Sequence, residues 1–263
     1  MSHKSSQDAL PYQGYVREVR LNWDRVERKN SYPFSLPAIR SLERLTLNPK
    51  VTFVIGENGA GKSTLVEAIA VAWGFNPEGG SKNFNFGTRL SHSSLSDCLT
   101  LVKGIYRPDD GFFLRAESFF NVASEVEQLG VSGYGHRSLH EQSHGESFMA
   151  LLTKRFWGKG LYVLDEPEAA LSPTRQMAML TRMHQLVSEQ SQFIIATHSP
   201  ILMAYPGATI LELSADGIKQ VPYTETEHYL VTREFLNNPE RMLSILLGAQ
   251  RGHRKEEDAA AGD

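Results

Sequence analysis

Eight residues, Gly56-Glu57-Asn58-Gly59-Ala60-Gly61-Lys62-Ser63, constrain this chain more than any others, because they read G-x-x-x-x-G-K-S and stand between a buried strand and a helix. Val51-Thr52-Phe53-Val54-Ile55 is the apolar run of a strand covered on both faces, and Ser63 to Trp73 has helical spacing. Glycines at such a junction let backbone N–H groups wrap an anion, and the helix turns its positive end toward it. Lys62 then reaches the β and γ phosphates, and the Ser63 hydroxyl ligates magnesium. The nucleotide-binding set is Gly56, Glu57, Asn58, Gly59, Ala60, Gly61, Lys62, Ser63 and Thr64. The guanine-reading Asn-Lys-x-Asp pattern is absent, so ATP with Mg2+ is expected, by elimination. Tyr32 and Phe34, upstream of the loop, are candidates to stack on adenine; packing within their own loop is the alternative for either.

Two more buried strands follow the same pattern. Leu161-Tyr162-Val163-Leu164 and Phe193-Ile194-Ile195-Ala196 flank an amphipathic helix carrying Met177, Leu180, Met183, Leu186 and Val187. Buried strands alternating with helices imply an α/β fold with a parallel sheet. Tyr15 to Leu21 and Leu42 to Leu47 alternate like half-buried strands, separated by a loop that Pro33 and Pro37 bracket. Thr209 to Leu213 and Ile218 to Tyr223, joined through Asp216-Gly217, read as a hairpin, and 225–247 as helical. Residues 1–14 and 251–263 read as flexible tails around one domain, 15–250. There is no internal repeat.

Asp165 and Glu166 end the second buried strand, ahead of Pro167 and Glu168. At the carboxyl end of a strand in an open parallel sheet, carboxylates face the crevice onto which the phosphate loop also opens. There Asp165 holds magnesium with Ser63, directly or through water, and Glu166 polarises the attacking water. Glu168 receives no chemistry and reads as a surface charge.

Charge and cysteine content narrow the partners. With 27 Lys+Arg against 30 Asp+Glu the net charge is -3, so no global positive field draws the chain to nucleic acid or acidic membranes. The lone cysteine, Cys98, excludes an internal disulfide framework and any multi-cysteine zinc site. No run approaches the roughly 18 apolar residues of a membrane span, and the start, Met1 to Leu10, lacks a signal-peptide stretch, so a cytoplasmic protein without membrane insertion is expected. His136, His140 and His144 have helical spacing for a metal, but Gly133, Gly135 and Gly145 oppose a continuous helix. Lys82, Arg89, Lys103, Arg107 and Arg115, with Phe84 and Phe86 nearby, read as a solvated basic face, nucleic-acid contact being the alternative.

The phosphate loop GENGAGKST, the strand end LDEPEAALS and the later ATHSP, spread over about residues 15 to 215, resemble the nucleotide-binding domain of ABC-type ATPases. The resemblance implies a P-loop NTPase fold of that type: α/β, with a mostly parallel central sheet, an N-terminal antiparallel β portion and a helical signature subdomain at about 80–156. It makes Asp165 and Glu166 the extended Walker B pair, Ala170-Leu171-Ser172 the D-loop, and His198 the switch that senses the γ-phosphate, so that Glu166 and His198 are the catalytic residues. Such domains also carry a signature whose serine and glycine amides contact nucleotide held by the opposite protomer. Ser143-His144-Gly145-Glu146-Ser147, ahead of the helical stretch Phe148 to Phe156, fits it and assigns Ser143 and Gly145 to nucleotide binding across a head-to-tail homodimer. Ser143 and Glu146 also read as a capping box, and a capped helix start with exposed amides is itself an anion site. The motif departs from the transporter form LSGGQ and resembles the S-x-G-E form of the chromosome-maintenance, DNA-repair and phage-defence branch.

Transporter ATPases carry a glutamine at a strand end between loop and signature. This chain has Arg115-Ala116-Glu117-Ser118 there, with Glu117 and Ser118 as candidate substitutes. About 80 residues separate Lys62 from Ser143, too few for a long coiled-coil arm, and about 65 follow His198, too few for an appended nuclease. The expectation is a bare Mg-dependent ATPase head that dimerises on ATP and drives or gates a separate protein effector, with DNA repair or phage defence as settings and at most weak nucleic-acid contact. The alternatives are the ATP-binding subunit of a transporter, disfavoured by the signature and the missing glutamine, and a slow-hydrolysing ATP-gated switch.

Overall fold

A computed structural model describes residues 11–80, 94–115 and 144–248. In chain order these form β1 (Val16–Leu21), α1 (Pro37–Arg40), β2 (Arg44–Thr46), β3 (Val51–Gly56), α2 (Lys62–Trp73), α3 (Leu95–Cys98), β4 (Leu99–Lys103) and β5 (Asp110–Arg115). Then come α4 (His144–Lys154), β6 (Gly160–Asp165), α5 (Pro173–Ser188), β7 (Gln192–Ala196), α6 (Pro200–Met203), β8 (Thr209–Ser214), β9 (Gly217–Gln220), α7 (Glu227–Asn237) and α8 (Pro239–Leu247). Residues up to Val221 make one compact unit and those from Pro222 another.

In the first unit six strands run in the order β5-β6-β7-β3-β8-β9, all parallel except the β8–β9 hairpin. Every residue of β3, β6 and β7 is buried, which is why their sequences run apolar without alternation. Against the sheet α2 lays Leu65, Val66 and Ile69, all in the main core. It stops at Gly74, whose left-handed φ of 104° lets its N–H reach back to the carbonyls of Ala70 and Val71. Ser172 caps α5 by accepting from the Arg175 N–H, and Pro173 occupies its first turn. That helix buries Met179, Met183 and Leu186, while Met177, expected on the same apolar stripe, turns outward.

The antiparallel portion expected near the N-terminus is a second sheet of order β2-β1-β4. Gln192 at the start of β7 joins the two sheets. Its Oε1 accepts from the N–H groups of Tyr15 (2.8 Å) and Val16 (2.9 Å), and its Nε2 donates to the carbonyls of Val16 (2.8 Å) and Asn48 (2.9 Å). Cys98 is a buried free thiol. In the second unit α7 is capped by Thr226, whose Oγ1 accepts from Tyr229 N, and Pro239 opens α8. Among the described residues no helix is long and apolar enough to cross a membrane.

Candidate functional site

Strand register brings the expected residues to one edge. Arg115 pairs with Asp165, Asp165 with Ala196 and Ala196 with Val54, two residues before Gly56. The phosphate loop, the Asp165-Glu166 turn and the Thr197-His198 turn therefore leave the sheet side by side, at the carboxyl ends of parallel strands.

The loop's conformation follows from its glycines. Gly61 sits at φ 98°, where a side chain is strained, and a Cβ there would lie 2.9 Å from Leu36 Cδ1. Leu65 N bonds the Gly61 carbonyl at 2.9 Å, so the first turn of α2 starts directly beneath the loop. Glu57, Asn58 and Gly59 are exposed, whereas Lys62 is only 4% exposed and its Nζ donates to the Glu57 carbonyl at 2.9 Å. Burial pulls the Lys62 pKa below the ordinary lysine value, and the negative charges of Glu166, Asp165 and Glu168 oppose that pull. Ser63 and Thr64 are half-buried in the first turn.

The β6 turn carries its own strain. Glu166 adopts φ 50°, ψ 50°, a left-handed conformation costing about 1–3 kcal/mol for a residue with a side chain, directly before a proline. Bonds from Glu166 N to the Ala196 carbonyl (2.9 Å) and from Ala169 N to the Glu166 carbonyl (3.1 Å) hold it there. Asp165 is buried at 7% exposure; Glu166 projects further, 3.8 Å from Oε1 to His198 Nε2. Burial and then the Lys62 charge lower the His198 pKa below its ordinary value, Glu166 partly offsetting them, so the imidazole is neutral at pH 7.

Glu168, read from the sequence as a surface charge, is not one. Its Oε1 accepts the His198 backbone N–H at 2.5 Å, and its Oε2 is closed off from solvent. Burial raises its pKa above the usual carboxylate value.

Arg115, expected on a solvated basic face, instead donates to Glu67 Oε2 on α2 at 2.8 Å and stands 4.0 Å from Asp165 Oδ2. This guanidinium occupies the strand end at which a glutamine was missed, while Glu117 and Ser118 lie outside the described residues. Lys103 and Arg107 are exposed; Lys82, Phe84, Phe86 and Arg89 fall outside. Of the two aromatic candidates, Phe34 is buried against Trp23, ring centroids 6.2 Å apart. Tyr32 is 64% exposed and its hydroxyl lies 2.6 Å from Thr64 Oγ1, at the lip of the loop.

Ser143, His136 and His140 lie outside the described residues, as does any cap made by Ser143. Gly145 is buried at the start of α4, with no room for a side chain: a Cβ would meet the Arg175 guanidinium and lie 2.9 Å from the Ala170 carbonyl. Glu146 pairs with Arg175 at 3.4 Å. Gly145 therefore rests on Ala170 and Arg175 of its own chain.

The oxygen donors at the edge, a serine hydroxyl and a buried carboxylate, suit Mg2+, a hard cation that takes one or two protein ligands and completes its shell with water and phosphate. Ser63 and Asp165 are the residues that fit it.

Comparison with known proteins adds the following. Residues 29–113 match a family described as an AAA domain, and residues 107–204 a family described as AAA domain, putative AbiEii toxin, Type IV TA system. The chain is 27% identical over 237 residues, 80% of its length and 74% of the relative's, to the energy-coupling factor transporter ATP-binding protein EcfA of Methanothermobacter thermautotrophicus. It is 29% identical over 165 residues, 56% of its length and 68% of the relative's, to the thiamine import ATP-binding protein ThiQ of Vibrio cholerae. Among solved structures, the SMC head domain from Thermotoga maritima aligns at TM-score 0.44 and 14% identity, covering 79% of this chain and 98% of that one. The family matches and curated relatives support an ABC-type P-loop ATPase with ATP hydrolase activity. They do not support the repair or phage-defence branch expected from the signature; the curated relatives point instead to the transporter alternative.

Proposed function

We propose that this chain is the ATP-binding subunit of a transporter: it binds ATP with Mg2+, closes head to tail with a second copy, and passes that closure to a membrane-embedded partner. The observation carrying the chemistry is the level register of four strand ends, which sets Lys62, Asp165, Glu166 and His198 along one edge. The names of the curated relatives support the choice of partner.

On this reading the loop amides and Lys62 bind and orient the phosphates, and Ser63 and Asp165 hold Mg2+, which supplies charge neutralisation at the phosphate oxygens when bound. Glu166, exposed enough to meet solvent, orients the attacking water and accepts its proton. His198 stands beside it to donate toward the γ-phosphate. Ser143 and Gly145 complete the partner's site, so each copy supplies what the other lacks.

A second reading, a non-membrane effector in phage defence or repair, is favoured by the S-x-G-E signature. Capture separates the two. The Glu166→Gln chain, which retains ATP without turning it over, is recovered from native cells with and without ATP and its bound chains are identified. An integral-membrane subunit recovered in an ATP-dependent manner is the expected result; a non-membrane effector or nucleic acid recovered in its place overturns the transporter assignment.

A further inference from the structure

We propose that Glu168 is a positioning residue of the hydrolytic edge, tying the turn after β6 to the turn after β7 and thereby setting where the His198 imidazole stands relative to Glu166. The inference rests on the assignment of Glu166 and His198 given above.

Glu166 and His198 do not hold each other, because 3.8 Å between Oε1 and Nε2 exceeds a hydrogen bond. Their separation is set by the backbones that carry them. Glu168 acts on those backbones: its Oε1 takes the His198 N–H at 2.5 Å. A charged acceptor on a backbone N–H is a strong hydrogen bond, and it fixes the chain rather than one rotamer.

The contact closes a ring. From His198 the backbone runs to Ser199, whose N–H donates to Thr197 Oγ1 at 3.0 Å and whose Oγ donates to Gln176 Oε1 at 2.5 Å. Gln176 Nε2 donates to the Leu171 carbonyl at 3.1 Å, and Leu171 N returns to the Glu168 carbonyl at 2.9 Å. Gln176, Thr197 and Ser199 are buried, so water does not compete for these bonds. Glu168 is the member of the ring that joins the Glu166 turn directly to the His198 backbone. A solvated glutamate would not keep an oxygen shut away from water, as Oε2 is here while Oε1 holds the His198 N–H.

The test uses the full chain with Glu168→Ala, Glu168→Gln, Glu168→Asp, His198→Ala and the Glu168→Ala/His198→Ala double variant. ATP affinity, single-turnover hydrolysis and the imidazole 1H–15N cross-peak of His198 are measured for each. Glu168→Ala is expected to slow hydrolysis by about 10 to 10² with ATP affinity held within about twofold, as misplacement of a reacting group does. It also shifts the His198 cross-peak, which reads the geometry without any turnover and so stands even if the ATPase reading fails. In the His198→Ala background, loss of Glu168 adds less than about twofold, because the pair is coupled. Glu168→Gln keeps the acceptor and its reach, whereas Glu168→Asp keeps the charge and loses a methylene. Gln is therefore expected to hydrolyse faster than Asp, a comparison that survives if the alanine variant fails to fold. Losses that multiply in the double variant, an unmoved His198 cross-peak, or Asp outperforming Gln each overturn the proposal.

Discussion

The sheet edge and the start of α4 are both assigned to the nucleotide, yet they are held in different ways. At the edge, three strands buried along their whole length deliver the phosphate loop, the carboxylates and His198, and the turns between them are bonded backbone to backbone or through Glu168. At the start of α4, Gly145 rests on Ala170 and Arg175, and the accompanying ion pair, Glu146 with Arg175, is 56% and 35% exposed. Exposed pairs of that kind contribute about 0–1 kcal/mol. The edge is thus built into the interior, whereas the start of α4 combines buried Gly145, Ser147 and Phe148 with an ion pair at the surface.

Perturbing each region in turn should separate binding from dimerisation. Lys62→Ala strikes the edge and should weaken ATP affinity about 10²-fold, as removing one partner of a buried charge pair does; nucleotide titration checks this, and an unchanged affinity would break the assignment. Ser143→Arg strikes the signature. In the Glu166→Gln background it should weaken the ATP-driven dimer about tenfold or more in sedimentation while ATP binding by the monomer stays near parental. Loss of monomer binding would instead mean that the two regions are not separable.

Gly145→Ala asks how tightly the signature sits on its own D-loop. The added methyl meets the Ala170 carbonyl, a backbone atom that cannot swing aside, so the variant should lose about 1–3 kcal/mol in denaturant unfolding. A neutral result would show that α4 shifts at no cost.

The smallest expected effect is one of pH. The Glu168 pKa in the fold lies above its unfolded value near 4.5, through burial. Below 4.5 both states are protonated and burial of the charge costs nothing; as pH rises through the folded value, the fold alone resists ionisation and stability is lost. Glu168→Gln abolishes that titration, so its melting temperature relative to the parent should climb as pH rises from 4.5 toward neutrality. A difference that stays flat with pH would remove burial as the cause.

Much of the edge was legible in the sequence because its signals are local. Apolar runs without alternation, ended by a glycine loop, by carboxylates or by Thr197-His198, mark buried parallel strands and the crevice they face. What escaped depends on distant chain arriving alongside. Glu168 follows a proline in an acidic stretch and looks solvated; it is half-buried because the β7 turn, thirty residues on, lays the His198 N–H on it. Arg115 likewise meets Asp165 only through the register of β5 with β6, and Glu67 only where α2 packs alongside. Tyr32 and Phe34 could not be ranked by spacing; Trp23 takes one of them into the core. The alternation of Leu42 to Leu47 overstates β2, since Leu42 N closes the end of α1 on the Ile39 carbonyl and only Arg44–Thr46 pair as strand.

Turnover and ATP affinity of Glu166→Gln, measured side by side, test most directly whether the edge is a hydrolytic site with Glu166 as its base. The substitution keeps size and shape and removes only the proton acceptor, so affinity should remain within a few-fold of parental while turnover falls by about 10² or more. Hydrolysis at the parental rate, with ATP bound normally, would contradict the assignment.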